Sequence, residues 1–202
     1  MSKQLLSVLL FCAIASPSFS QSFMHGAGIG LFVGTTSAAG GQVAVAEGFI
    51  YSPRFNFFET ENLSVSVGIP LSLGLSASTS YNSGNYYAEE LKINLLVNAP
   101  LIFNLNMGRG STKQNRTKFG YFVGAGYGFY HGDFYGIFTD ELDPTYEYLG
   151  SRSLSIHGPA ANAGMRFGVG KKHKNIELRF SYMKGINETK PNIFGIAGLF
   201  NF

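Results

Sequence analysis

The stretch Leu63 to Leu75, LSVSVGIPLSLGL, restricts the folds open to this chain more than any other. Its odd positions are aliphatic (Leu63, Val65, Val67, Ile69, Leu71, Leu73, Leu75), and its even positions are Ser, Gly or Pro (Ser64, Ser66, Gly68, Pro70, Ser72, Gly74). A repeat of two is the signature of a β-strand. Thirteen residues at about 3.3 Å each run about 43 Å, long for a soluble sheet and ample for a tilted membrane strand of about 9 to 11 residues. A second face turned to bulk water would carry Lys, Glu or Thr, whereas Ser and Gly suit the crowded interior of a narrow barrel. The pattern predicts aliphatic side chains outward to lipid and small ones inward to a lumen.

The alternation recurs along the chain. His25 to Thr35, Val43 to Phe57, Leu91 to Leu105, Phe119 to Tyr130, Ser153 to Val169, Asn175 to Gly185 and Ile193 to Phe202 each read as a strand. With the Leu63 stretch that makes eight, joined alternately by loops and turns. The expected fold is all-β: an eight-stranded antiparallel up-and-down transmembrane β-barrel, closed because an open sheet edge cannot be left in hydrocarbon. Two features pull against regularity. In the second strand Glu47 shares parity with Val43, Val45 and Phe49, and a carboxylate facing lipid is costly; a bulge near Gly48 that turns it inward is expected. Pro70, Pro100 and Pro159 fall inside strands, where each removes a ladder donor.

Composition agrees with a membrane barrel. Charged residues are 13% of the chain, aromatics 15%, and there are 26 glycines, against about a quarter charged in an average soluble protein. Residues 1–20 read as a cleavable secretory signal: Lys3, an apolar run from Leu5 to Ala15, and the small-x-small end Ser18-Phe19-Ser20. The mature domain is then 21–202. Cys12 within that leader is the only cysteine; Phe11 is too bulky for a lipoprotein site, and the mature chain offers neither disulfide nor thiolate chemistry. Without Lys3 there are 14 basic and 12 acidic residues, a net charge of +2, which points to no nucleic-acid partner. A soluble lipocalin-like barrel, with the alternation turned inside out, is the competing architecture.

Candidate functional residues fall in three groups. Glu47, Lys92, Arg166, Glu177 and Arg179 are expected to form a charge network in the lumen, with Arg166 opposite Arg179 and Glu177 diagonal to both. An eight-stranded lumen is about filled by its own side chains, so a plug is favoured over an ion path. The stretch 132–151 reads as the longest loop and holds Asp133, Asp140, Glu141, Asp143 and Glu147, five of the twelve acidic residues, with Tyr146 and Tyr148. It suits an extracellular partner better than a metal, since the DELD run lacks the spacing of a calcium loop. Ser155 and His157 share a strand face and offer the one enzymatic possibility, a hydrolase acting on lipid A, although no acidic third member is identifiable.

Two stretches, GSTKQNRTKFGYFVGAGYGFYHG (Gly110 to Gly132) and NIELRFSYMKGINETKPNIFGIAGLFNF (Asn175 to Phe202), resemble small bacterial outer-membrane β-barrel proteins, the porin-family and outer membrane protein A and X type. The resemblance implies a monomer in the outer membrane of Gram-negative bacteria, surrounded by its lipid and inserted by the barrel-assembly machinery, for which Phe202 would be the recognised terminal aromatic. It implies no cofactor. A structural or surface-interaction role is expected, with a narrow conduit for small molecules as the alternative and lipid A hydrolysis third.

Overall fold

The computed structural model describes residues 22–36, 43–80, 90–139, 147–170, 173–187 and 190–202, with the backbone alone at 76–80, 90–94, 137–139 and 147–150. The leader 1–20 lies outside these residues. Ten β segments follow in order: β1 (Ser22–Thr35), β2 (Val43–Phe57), β3 (Leu63–Gly68), β4 (Leu71–Ser80), β5 (Glu90–Asn98), β6 (Leu101–Gly108), β7 (Phe119–Thr139), β8 (Glu147–Gly168), β9 (Asn175–Lys184) and β10 (Asn192–Asn201). Every pairing is antiparallel. β1 pairs with both β2 and β10, which closes the sheet into a barrel.

The ten segments make eight staves. β3 and β4 are halves of one, because Gly68 faces Arg54 and Leu71 faces Tyr51 in a single register along β2. β5 and β6 are likewise continuous against β7. The interruptions fall at Ile69-Pro70 and Ala99-Pro100, where proline withholds a ladder donor, and no register slip accompanies them. Pro159 leaves β8 unbroken, since it sits at the end of the β8–β9 ladder, whose last pair is Ala160 with Met183.

The faces sort as the alternation requires. Ile29 is 73% exposed and Phe49 57%, and Leu75, Leu95, Phe103 and Tyr121 also point outward, while Ser64, Ser66 and Asn106 on the same staves are buried. An apolar belt of this extent does not face water on a soluble monomer, and a lipocalin would have turned it inward. The inward face is not uniformly small and polar. Toward the end that carries the chain termini and the β6–β7 and β8–β9 connections (the turn end) it is polar, with Asn56, Ser64, Asn106, Asn175 and Asn201 buried. Toward the opposite, hairpin end it is an apolar core built on Phe32, Ile50, Leu96, Tyr130, Phe134, Ile156 and Ile193.

Two expectations are corrected by the registers. No bulge occurs at Gly48: Leu31–Glu47, Gly30–Gly48 and Ile29–Phe49 pair in unbroken succession, so Glu47 stays on the outer face and is exposed. The ladder with β1 on one side and β4 on the other holds β2 straight. The stretch 132–151 is also not simply a loop. β7 and β8 run 21 and 22 residues and stay paired up to Thr139 and Glu147. Hairpin extension continues because the two strands keep exchanging backbone hydrogen bonds beyond the barrel wall.

Candidate functional site

The site with the most concentrated chemistry is the polar half of the lumen, centred on Glu177 in β9. Its side chain is 0% exposed and meets three guanidiniums: Arg166 Nε at 2.7 Å, Arg179 Nη2 at 2.5 Å and Arg54 Nη1 at 3.3 Å. Asn201 Nδ2 donates to the same carboxylate at 3.1 Å. Register accounts for the convergence. Arg166 in β8 is directly opposite Glu177, and Arg179 follows Glu177 by two on the same inward face. The expected opposition of Arg166 to Arg179 is therefore off by two residues, because Gly168 pairs with Asn175 across the turn. Direct opposition puts the acid against a base, the favourable cross-strand arrangement.

Arg54 reaches the cluster from across the barrel. It also donates to Gly110 O at 3.3 Å, while Arg166 Nη1 donates to Asn106 Oδ1 at 2.9 Å and Arg179 Nη2 to Ser52 Oγ at 3.0 Å. The Arg166 guanidinium stacks over the Phe122 ring at 4.3 Å. Arg54 is not among the residues expected in the network, although its parity, shared with Ser52 and Asn56, marks it as inward; Glu47 would be the inward charge of β2 only if a bulge occurred at Gly48. Lys92 is placed by its backbone in β5, opposite Ser78. Of the expected charge network, Arg166, Glu177 and Arg179 come together and Glu47 does not.

The cluster is roofed by the β6–β7 connection, which folds into the barrel mouth. Arg109, Gly110, Ser111, Thr112 and Asn115 are buried there, while Lys113, Gln114 and Arg116 stay exposed. Ser111 O accepts from Asn56 Nδ2 and from Ser64 Oγ, both at 2.6 Å. Arg109 Nη2 donates to Lys174 O at 2.8 Å, and Asn115 Nδ2 to Glu61 O and Asn62 Oδ1 at 2.9 Å. The connection is thus stapled to both neighbouring turns. Gly110 sits at φ +77°, and a Cβ there would lie 2.8 Å from Arg166 Cδ, so glycine is needed for both backbone and space. Burial, then the nearby Arg116, lowers the pKa of Arg109 from its ordinary value.

At the hairpin end the lumen is closed by packing. Tyr130 and Phe134 are fully buried, with ring centroids 6.3 Å apart in an edge-on arrangement, and the Phe134 ring occupies the space beside Gly34. Val43 of β2 pairs with Tyr135 of β7 above them. Between these two packed regions of the described residues lies a mid-lumen cavity of about 40 Å³.

No protein-family model matches this sequence, and no curated protein matches it either. Among solved structures the chain is similar to Ail, the attachment invasion locus protein of Yersinia pestis, in complex with the heparin analogue sucrose octasulfate. Identity is 12% and the TM-score 0.51, over 90% of this chain and 98% of Ail. The fold is that of a small bacterial outer-membrane barrel. Neisserial surface protein A (9% identity, TM-score 0.47, 90% of this chain and 97% of that one) and OprG from Pseudomonas aeruginosa (10%, 0.44, 89% and 95%) are also similar.

In this outer-membrane barrel the remaining candidates are dispersed. Phe202 is exposed at the turn-end rim, its N–H donating to His25 O at 3.0 Å and its ring 4.3 Å from the His25 ring. Ser155 and His157 share the outer face of β8, but neither partners the other: Ser155 Oγ lies 2.9 Å from His131 Nδ1, and His157 Nδ1 lies 2.6 Å from Tyr127 OH. Asp133, expected in a surface loop, is a buried residue of β7 that accepts a hydrogen bond from Ser153. Glu147 and Tyr148 are placed by backbone in β8; Asp140, Glu141, Asp143 and Tyr146 lie outside the described residues. Among the described residues no three His, Cys, Asp or Glu side chains gather as metal ligands.

Proposed function

We propose that this protein is a closed, non-enzymatic barrel of the outer membrane that serves as a platform for surface interaction, presenting the β7–β8 hairpin. The observation that carries the reading is the double closure of the lumen: the Glu177 cluster under the tucked β6–β7 connection at one end, and Tyr130 with Phe134 at the other. A channel would need both of these removed. The presented element is the hairpin of 21- and 22-residue strands, about twice the length that a bilayer-spanning strand requires. The sequence between and at the ends of these strands holds Asp140, Glu141, Asp143, Glu147, Tyr146 and Tyr148, an acidic and aromatic set that suits a basic protein surface better than a polyanion. Ail, in complex with a sulfated sugar analogue, supports a surface role for this fold while leaving the partner's charge to the sequence. In this reading the barrel is a monomer, and Phe202 at the last strand's end is the group that the assembly machinery reads.

Purified barrel in a planar bilayer, checked as folded by its heat-modifiable migration on a gel, is expected to give no discrete conductance steps. Regular steps from folded protein would show an open axial path and remove this reading.

A further inference from the structure

The wall of the barrel has a seam. Ile69 N–H donates across to Pro53 O on β2 at 3.3 Å, and Ala99 N–H to Phe129 O on β7 at 2.8 Å. Backbone groups alternate sides along a strand, so the amides of positions 70 and 100 are turned toward one another. The flanking pairs, Gly68 with Ile102 and Ser72 with Asn98, place Pro70 directly opposite Pro100. Both bonds that would join the staves at this rung are therefore missing, since neither residue has an N–H. Between the surviving rungs about four residues, roughly 14 Å of strand, run without a hydrogen bond joining the two staves. Pro53 removes a further donor on the other side of Ile69. In a wall bathed by lipid this is an expensive arrangement, because no water replaces the lost partners.

Behind the seam lies the mid-lumen cavity. Pro70 and Pro100 line it directly, Phe32, Ile50 and Ile193 form apolar walls, and Arg179 stands at its polar end. Asn162, 6% exposed, also lines it and has an Oδ1 with no hydrogen-bond partner. Arg179 is the edge of a cluster holding three guanidiniums and one carboxylate, so the polar end favours an anion. The cavity is about 40 Å³ in volume, too small for a ligand until the wall moves, and the seam is where the wall is least tied together.

We infer that the Pro70–Pro100 seam is a lateral port through which a single-chain lipid acid passes between the bilayer and the lumen, its carboxylate turned to Arg179. Such a port works with both ends of the lumen shut, and the inference is thereby independent of the surface role.

The test uses the barrel reconstituted in phosphatidylcholine vesicles, with an intrinsically fluorescent polyene fatty acid as probe and the matching alcohol as control. The mature chain has no other thiol, so the Leu71→Cys/Ala99→Cys variant, which keeps both prolines and lies one position from them in the register set by Ser72 with Asn98, can latch the seam by a disulfide; facing positions of an antiparallel pair lie within reach of that bond. Saturable binding of the acid is expected in the reduced form, at least tenfold weaker in the oxidised form, restored by reductant, and at least tenfold weaker for the alcohol. Equal binding with the latch open and shut would overturn the port, as would absence of saturable binding to heat-modifiable, folded wild type. Conductance is read separately, so failure of the port leaves the closed-barrel reading standing, and conductance steps strike that reading alone.

Discussion

The two halves of the lumen fill the same space inside the same wall by opposite means. At the turn end, the inward positions are Asn, Ser, Arg and Glu, held by directional bonds to one another and to the β6–β7 connection. At the hairpin end, they are Phe, Ile, Leu and Tyr, held by contact. The difference lies in how each half responds to a missing part. A buried polar network is stable only when complete, because each orphaned group keeps its desolvation cost. An apolar core loses stability in proportion to the hole left and can partly collapse into it. The turn end therefore behaves as a rigid floor and the hairpin end as a deformable filling, and the Pro70–Pro100 seam opens onto the boundary between them.

The comparison is broken most directly at Glu177. Replacement by Gln leaves Arg54, Arg166 and Arg179 facing one another with no carboxylate, and a loss of about 3–5 kcal/mol is expected, as for removing one partner of a buried ion pair. Urea unfolding of the barrel from vesicles, read by the heat-modifiable band, checks this. Adding Arg54→Met should recover part of the loss by removing one uncompensated cation. A cost no greater than that of a surface substitution would mean that the floor is held by the β6–β7 connection rather than by charge. In the other half, Phe134→Ala is expected to cost about 3 kcal/mol through the cavity it opens. It should add no conductance, since the floor stays closed; conductance in this variant would place the whole barrier at the hairpin end.

The wall was legible in the sequence and its filling much less so. Period-two alternation is a property of each strand alone, and the eight staves, their lipid-facing residues and the parity of Arg166, Glu177 and Arg179 follow from it. Which inward residues meet depends on register between strands distant in sequence. Arg54 and Glu177 are 123 residues apart, and a shift of two residues at the β8–β9 turn changes the partner of Arg166 from Arg179 to Glu177. The tucking of Gly110 and Ser111 was hidden for another reason. A turn that reads GRGSTKQNRTK looks solvated from composition, and only the uncapped polar groups of Asn56 and Ser64 below it make burial of its carbonyls favourable. Glu47 shows the opposite error: the cost of one outward carboxylate is smaller than that of breaking two ladders, so the strand stays regular.

The smallest effect expected is also the one that isolates the floor's outer rim. His173, in the β8–β9 turn, has its pKa lowered by burial first and then by Lys113, Arg116, Arg109 and Lys174. A base whose folded pKa lies below its unfolded value of 6.5 is held more weakly protonated in the folded barrel, so the unfolded chain binds more protons. Its contribution is thus fully present above the unfolded value and is lost as pH falls through that value toward the folded one. Comparing wild type with His173→Gln between about pH 8 and about pH 5 cancels the titration of other groups. Wild type should lose more stability than the variant as pH drops, with no change in conductance and none in the hairpin end's response to Phe134→Ala. If both lose stability in parallel, the cations of the β6–β7 connection do not press on His173, and the connection sits less firmly in the barrel mouth than its bonds to Lys174 and Asn62 require.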